Sequence, residues 1–210
     1  VLDSTGTPAV TAQRSRSLAS NVRWALAGNV IYALTQWGML SVLARWAPEV
    51  AVGQFVLGLA IAAPVTALTM LQLRNAQVTD VQHKYAFADY FGTRIVWSGV
   101  GMAVILGWAM LTGDDASTFW VVVLVGLMKS VDSLSDIVRG YFQSCERMDL
   151  NSISLITKGI VSLLALAAAM RLTGSVVVAT AAATLAWAAA FVLYDLVMAR
   201  RLFVESEGSP

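Results

Sequence analysis

The chain has 210 residues, of which 58% are hydrophobic and 13% charged, whereas soluble domains carry about 25% charged residues; the composition describes a polytopic, all-α integral membrane protein. A formal net charge of +1 provides no general basic field, so nucleic acid is not a partner. The lone cysteine, Cys145, excludes an intramolecular disulfide, and with the lone histidine, His83, far from it there is no zinc set and no cofactor is expected.

Residues 1–20 are polar, carry Arg14 and Arg16 and lack the apolar run of a cleaved signal peptide, so they read as a basic cytoplasmic tail. Six spans are expected over residues 21–200, at about 22–43, 52–73, 90–111, 117–142, 153–170 and 176–198. In the first, Asn29, Tyr32 and Gln36 recur at helical spacing and share a face, as interhelical amide contacts or as cavity lining. The second carries Pro64 mid-span, which should kink it or free a carbonyl. Asn75 to Asp89 is too polar to cross and reads as an aqueous loop holding His83, with room for a short surface helix. Thr112-Gly-Asp-Asp and Arg171-Leu-Thr-Gly-Ser are tight turns. The sixth span is rich in alanine, which lets helices approach closely. Residues 201–210 are a tail or the start of an inter-lobe linker. The chain starts at Val1 and closes on Glu-Gly-Ser-Pro, which reads as loop interior, so a fragment is expected.

The fourth span organises the rest. Lys129, Asp132, Asp136 and Arg139 fall within roughly 80° around a helix of 3.6 residues per turn. Each charge near mid-bilayer costs about 2.5–3.5 kcal/mol, and each Leu or Val returns only about 0.3–0.6. Four such residues cannot face lipid, so the stripe must turn towards other helices or water. It is either an ion-pair ladder that tethers helices or part of a transport pathway.

Six spans put both termini on one side. Arg14, Arg16, Arg23, Arg74, Lys84, Arg94, Arg139, Arg147, Lys158, Arg200 and Arg201 fall on that side, against Arg45 and Arg171 on the other. The positive-inside rule then makes both termini cytoplasmic. Trp46, Trp108 and Trp120 mark the outer interface and Trp24 and Trp97 the inner one; Trp37 and Trp187 sit mid-span and are expected to pack internally.

Catalytic motifs are absent. Met-Lys-Ser at 128–130 has Val123 and Met128 where a phosphate-binding loop needs glycine. No HExxH, GxSxG or paired-cysteine motif occurs, so the chain is not expected to be an enzyme.

Leu71-Gln-Leu-Arg-Asn-Ala-Gln-Val-Thr-Asp80 and Phe87-Ala-Asp-Tyr-Phe-Gly-Thr-Arg94, followed by Lys129-Ser-Val-Asp-Ser-Leu-Ser-Asp136 and Glu146-Arg-Met-Asp149, carry a resemblance in their order and spacing. The chain resembles bacterial lipopolysaccharide and capsule exporters of the MOP superfamily over about residues 18–200. That resemblance implies one six-helix lobe of a MATE-like transporter in the bacterial inner membrane, needing a second six-helix half or a homodimer partner. It implies flipping of undecaprenyl-diphosphate-linked oligosaccharide by alternating access, with polysaccharide-synthesis enzymes as candidate partners. A diphosphate needs fixed cations. Lys129, Arg139 and Lys158 are the candidates, with Asn29 and Gln36 as cavity lining. Asp132 and Asp136 would be counter-ions or carry a coupling proton. Arg74, Asp80, Asp89, Arg94, Glu146, Arg147 and Asp149 are expected to latch the cytoplasmic loops. Two alternatives remain open: a cation-coupled exporter of small amphipathic molecules, and a non-transport scaffold of a polysaccharide-synthesis complex.

Overall fold

A computed structural model describes residues 18–80, 85–111 and 115–207. The tail bearing Arg14 and Arg16, the loop residues His83 and Lys84, the turn at 112–114 and the closing residues 208–210 lie outside the described residues. Among the described residues every regular element is a helix. These are α1 (Leu18–Trp46), α2 (Glu49–Thr69), α3 (Leu73–Thr79), α4 (Phe87–Leu111), α5 (Ala116–Ser144), α6 (Met148–Thr173), α7 (Val176–Ala190), a π-helical turn (Phe191–Leu196) and α8 (Val197–Glu207).

Among the described residues, five helical stretches are long and apolar enough to cross a membrane: Leu18–Trp46, Glu49–Thr79, Phe87–Leu111, Met148–Thr173 and Val176–Val204. The chain is a multi-pass membrane protein. Helix α5 is as long as α1, at 29 residues, but its four charges lower its apolarity. It runs inside the bundle instead, packed against α2, α3, α4 and α7, while α1 packs on α6 and α6 on α7. Its lipid exposure is small because its neighbours take up the charged stripe.

Local sequence sets the helix ends. The Asp115 carboxylate accepts from the Ser117 amide at 3.2 Å and starts α5. The Thr118 hydroxyl, which also donates to it, holds that carboxyl below the usual range. Gly174 (φ 64°) closes α6 in the left-handed region, donating to the Met170 carbonyl at 2.9 Å. Helix α2 runs through Pro64 and stops at Thr69, before Leu71 and Gln72 turn left-handed (φ 48° and 53°). The chain then forms the short helix α3, which packs on α5 rather than lying free on the surface, and Gln77 is buried beside Gly140.

Two apolar clusters fill the bundle. One gathers Met39, Leu43, Phe55, Ile105, Val121, Val125, Leu166 and Trp187. The other gathers Val138, Phe142, Leu150, Phe191, Ala199 and Leu202. The charged stretch of α5 lies between them. Trp187 is fully buried as expected, but Trp37 is 70% exposed and faces outward with Leu34, Leu26 and Val30.

Helices α1 and α6 meet through small residues. A Cβ on Gly28 would lie 2.9 Å from the Ser152 backbone, which cannot yield, whereas one on Gly53 would meet nothing within 4 Å. Overpacking of this kind costs about 1–3 kcal/mol. Gly28→Ala should therefore lower the melting temperature in detergent while Gly53→Ala leaves it unchanged or raises it; equal melting temperatures would remove the close α1–α6 contact.

Candidate functional site

The site is a layer of charge across the middle of the bundle, built on one face of α5. Asp136 receives three guanidinium groups: Arg74 from α3 at 2.9 Å, Arg94 from α4 at 3.6 Å and Arg139 one turn along at 3.5 Å. Asp132 receives Arg139 at 3.3 Å and Lys158 from α6 at 3.7 Å. Lys158 also lies 3.7 Å from Asp195, which the π-helical turn carries in from the last span. The Ser135 hydroxyl sits at the centre, in short contact with both the Lys158 ammonium and the Asp195 carboxylate, and it accepts from Arg139 Nη1 at 3.1 Å.

Burial is nearly complete. Arg94 and Lys158 are fully buried, and Arg139 and Asp195 almost so. Ionised groups survive without water only when paired and hydrogen-bonded, and the ladder meets that condition on five elements at once. Ser98 and Ser133 extend it, with Arg94 reaching the Ser133 hydroxyl at 3.4 Å. The layer still leaves polar atoms without a hydrogen bond among the described residues: Arg94 Nε and Nη2, Arg139 Nε and Asp195 Oδ1.

Lys129 is the exception. It is half-buried and makes no ion pair among the described residues. Its ammonium lies 5.7 Å from the centre of the Trp187 ring, with Lys158 5.6 Å from the same ring. An aromatic face attracts a cation through its quadrupole, so Trp187 stabilises both ammonium groups. Tyr32 of α1 packs against that ring, centroids 6.3 Å apart.

The expected residues divide accordingly. Asp132, Asp136, Arg139 and Lys158 meet in the layer, and Lys129 stands at its edge. Arg74 and Arg94, expected in a loop latch, instead reach Asp136, because α3 folds back onto α5 and Arg94 sits inside α4. The other latch residues make local contacts. Asp80 accepts from the Tyr90 hydroxyl at 3.1 Å, Asp89 from the Ala86 amide at 3.0 Å, and Arg147 grips Asp149 with two nitrogens at 3.1 and 3.2 Å. Glu146 is exposed at a left-handed turn (φ 56°) between α5 and α6. Asn29 is exposed and donates to its own helix, to the Ala25 carbonyl at 2.8 Å. Gln36 contacts Met39 Sδ at 3.8 Å, outside the charged layer. Sequence reasoning missed Asp195, Ser135 and the role of Trp187. A carboxylate inside an otherwise apolar last span was the signal for Asp195.

The charged layer sits on a recognisable chain. A curated relative, the capsular polysaccharide biosynthesis protein CapF of Staphylococcus aureus, is 23% identical over 147 residues, covering 70% of this chain. The chain spans 36% of that relative's length. No solved structure matches the chain significantly. A family model described as "Polysaccharide biosynthesis protein" matches residues 18–208, so this helical membrane chain with its buried ladder of opposite charges belongs to the polysaccharide biosynthesis protein family.

Proposed function

We propose that the chain is one six-helix lobe of a MOP-type flippase. Its cargo is undecaprenyl-diphosphate-linked oligosaccharide or a related polysaccharide precursor, moved across the bacterial inner membrane by alternating access. Both termini are cytoplasmic in this reading, and a second six-helix half or a second copy completes the cavity. The observation that carries it is a surplus of cations. Among the described residues of the layer, Arg74, Arg94, Lys129, Arg139 and Lys158 face Asp132, Asp136 and Asp195. A diphosphate supplies the missing negative charge, and charge-assisted hydrogen bonds to phosphate are among the strong ones.

In this reading Lys129 touches the cargo. It is half-buried, makes no ion pair among the described residues, and its ammonium lies over the Trp187 ring. Arg139 and Lys158 lie behind it and keep the local potential positive. Asp132 and Asp136 are their counter-ions. Asn29 and Gln36 of α1 offer amides to sugar hydroxyls once they leave the Ala25 carbonyl and Met39 Sδ. Asp80, Asp89, Glu146, Arg147 and Asp149 order the cytoplasmic connections.

The complete burial of Arg94 and Lys158 favours a second reading. In it the chain is a scaffold whose charges tie helices together and meet no cargo. Depleting the protein in its native host separates the two. A flippase predicts that the lipid-linked oligosaccharide accumulates in the cytoplasmic leaflet, with efflux of small amphipathic cations unchanged. A scaffold predicts that the lipid intermediate still crosses while polymer assembly fails. In the same cells, cysteine introduced at Glu146 should be labelled only from the cytoplasm and cysteine at Asp115 only from outside; the reverse pattern would overturn the orientation.

A further inference from the structure

A second group of side chains meets away from the charged layer, where the ends of α3, α4, α5 and α8 converge. Between them lies a cavity of about 310 Å³, at the small end of ligand-binding pockets. Its walls are aromatic. Tyr85, Phe87 and Tyr90 come from the start of α4 and the residues before it, Tyr141 from the last turn of α5 and Phe203 from α8. Tyr141 and Phe203 stack with ring centroids 4.6 Å apart, and Phe87 closes on both at 5.3 and 5.4 Å. Tyr85 and Tyr90 meet edge to face at 6.1 Å. An aromatic belt at a membrane interface presents its rings to lipid head groups. Here rings from three helices pack on one another beside a cavity.

The charge in that wall is negative. Asp80, at the end of α3, accepts from the Tyr90 hydroxyl at 3.1 Å and from the Tyr85 amide at 3.2 Å, which fixes its carboxylate beside the rings. No basic side chain lines the cavity among the described residues. Arg147, whose charge reaches the Cys145 thiol, is itself held by Asp149 through two nitrogens. Gln77 also lines the wall, and its Oε1 is a buried acceptor without a hydrogen bond among the described residues.

These features select a cation. Aromatic faces attract one through their quadrupole, arginine more often than lysine. A guanidinium is planar, so it stacks on a ring while its edge donates to a carboxylate. An apolar ligand would fill the same volume but bury the Asp80 carboxylate against hydrocarbon, which is costly.

We propose that this pocket docks an arginine side chain of a cytoplasmic partner protein, with the guanidinium against the aromatic walls and its N–H edge on Asp80. From the flippase reading the proposal takes only the side of the membrane. The charged layer shares none of these residues.

Cys145, the lone cysteine of the chain, lines the pocket and is half-buried, so its alkylation reports occupancy. The test treats the purified protein in nanodiscs with N-ethylmaleimide, in the presence of a blocked glycine–arginine–glycine peptide or its neutral citrulline analogue at equal salt. The arginine peptide should slow alkylation several-fold and saturably, and the citrulline peptide should not. Tyr141→Leu should weaken the apparent affinity by about 2- to 30-fold, and Asp80→Asn should weaken it too. Should Tyr141→Leu fail to fold, Tyr85→Ala, at an exposed position, carries the same expectation. Equal slowing by both peptides, no slowing by either, or an affinity untouched in Asp80→Asn and Tyr85→Ala overturns the proposal. Alkylation that follows the lipid composition of the nanodisc and not the peptide marks the rings as an interfacial belt and overturns it as well. Each of these outcomes leaves the flippase reading standing, because lipid transfer is measured separately.

Discussion

Asp136→Leu is expected to be the most destabilising single substitution in the bundle. Three guanidinium groups lose a carboxylate at once, but they do not suffer equally. Arg74 is 30% exposed and already donates to Gln143 at 2.9 Å, so water and that amide can hold it. Arg139 keeps Asp132 at 3.3 Å. Among the described residues Arg94 keeps only the Ser133 hydroxyl at 3.4 Å, and it is fully buried. Stranding a buried charge costs about 3–5 kcal/mol, whereas replacing both partners by apolar residues is often neutral. Adding Arg94→Met to Asp136→Leu should therefore recover most of the lost melting temperature in detergent. A single variant as stable as the wild type would show that this pair does not hold α4 to α5.

The second large effect separates two lysines on the same ring. Lys158→Met should lower both stability and export, because Asp132 and Asp195 both lose a cation inside the bundle. Lys129→Met should leave the melting temperature nearly unchanged, because Lys129 has no ion pair among the described residues, yet still impair export. A hydrogen bond to a charged group contributes about 1.5–3 kcal/mol, and each 1.4 kcal/mol is about tenfold, so flipping should fall by about 10- to 100-fold. Lys129→Arg should retain most of it. Export that survives in Lys129→Met, measured by surface polysaccharide in the native host, removes Lys129 as the contact residue.

Much of this was legible in the sequence, and the gaps have physical causes. Periodicity within one helix places Lys129, Asp132, Asp136 and Arg139 on one face, and the cost of charge in lipid turns that face inward. Neither argument says which residues of other helices arrive opposite. Lys129 and Asp132, neighbours on the helix surface, look like a pair; instead Trp187 takes the lysine, while Arg139 and Lys158 take the carboxylate. Arg74 reads as a helix-terminal charge because the left-handed residues Leu71 and Gln72, which swing α3 back onto α5, carry no glycine signal. Arg94 reads as a loop neighbour because its depth in α4 depends on that helix starting at Phe87, three residues before the expected span. Asp195 goes unremarked near the end of the sixth expected span, because the helix continues past it, through the π-helical turn into α8.

The central claim is that the charged layer receives an anionic lipid head group. Native mass spectrometry of the protein from its own membrane, with undecaprenyl diphosphate and uncharged undecaprenol added in equal amounts, tests it most directly. The account predicts that the diphosphate is retained in preference to the alcohol, and that Lys129→Met abolishes the preference without unfolding the protein. Equal retention of the two lipids, or a preference untouched by Lys129→Met and Lys158→Met, would contradict it and leave the layer as a tie between helices.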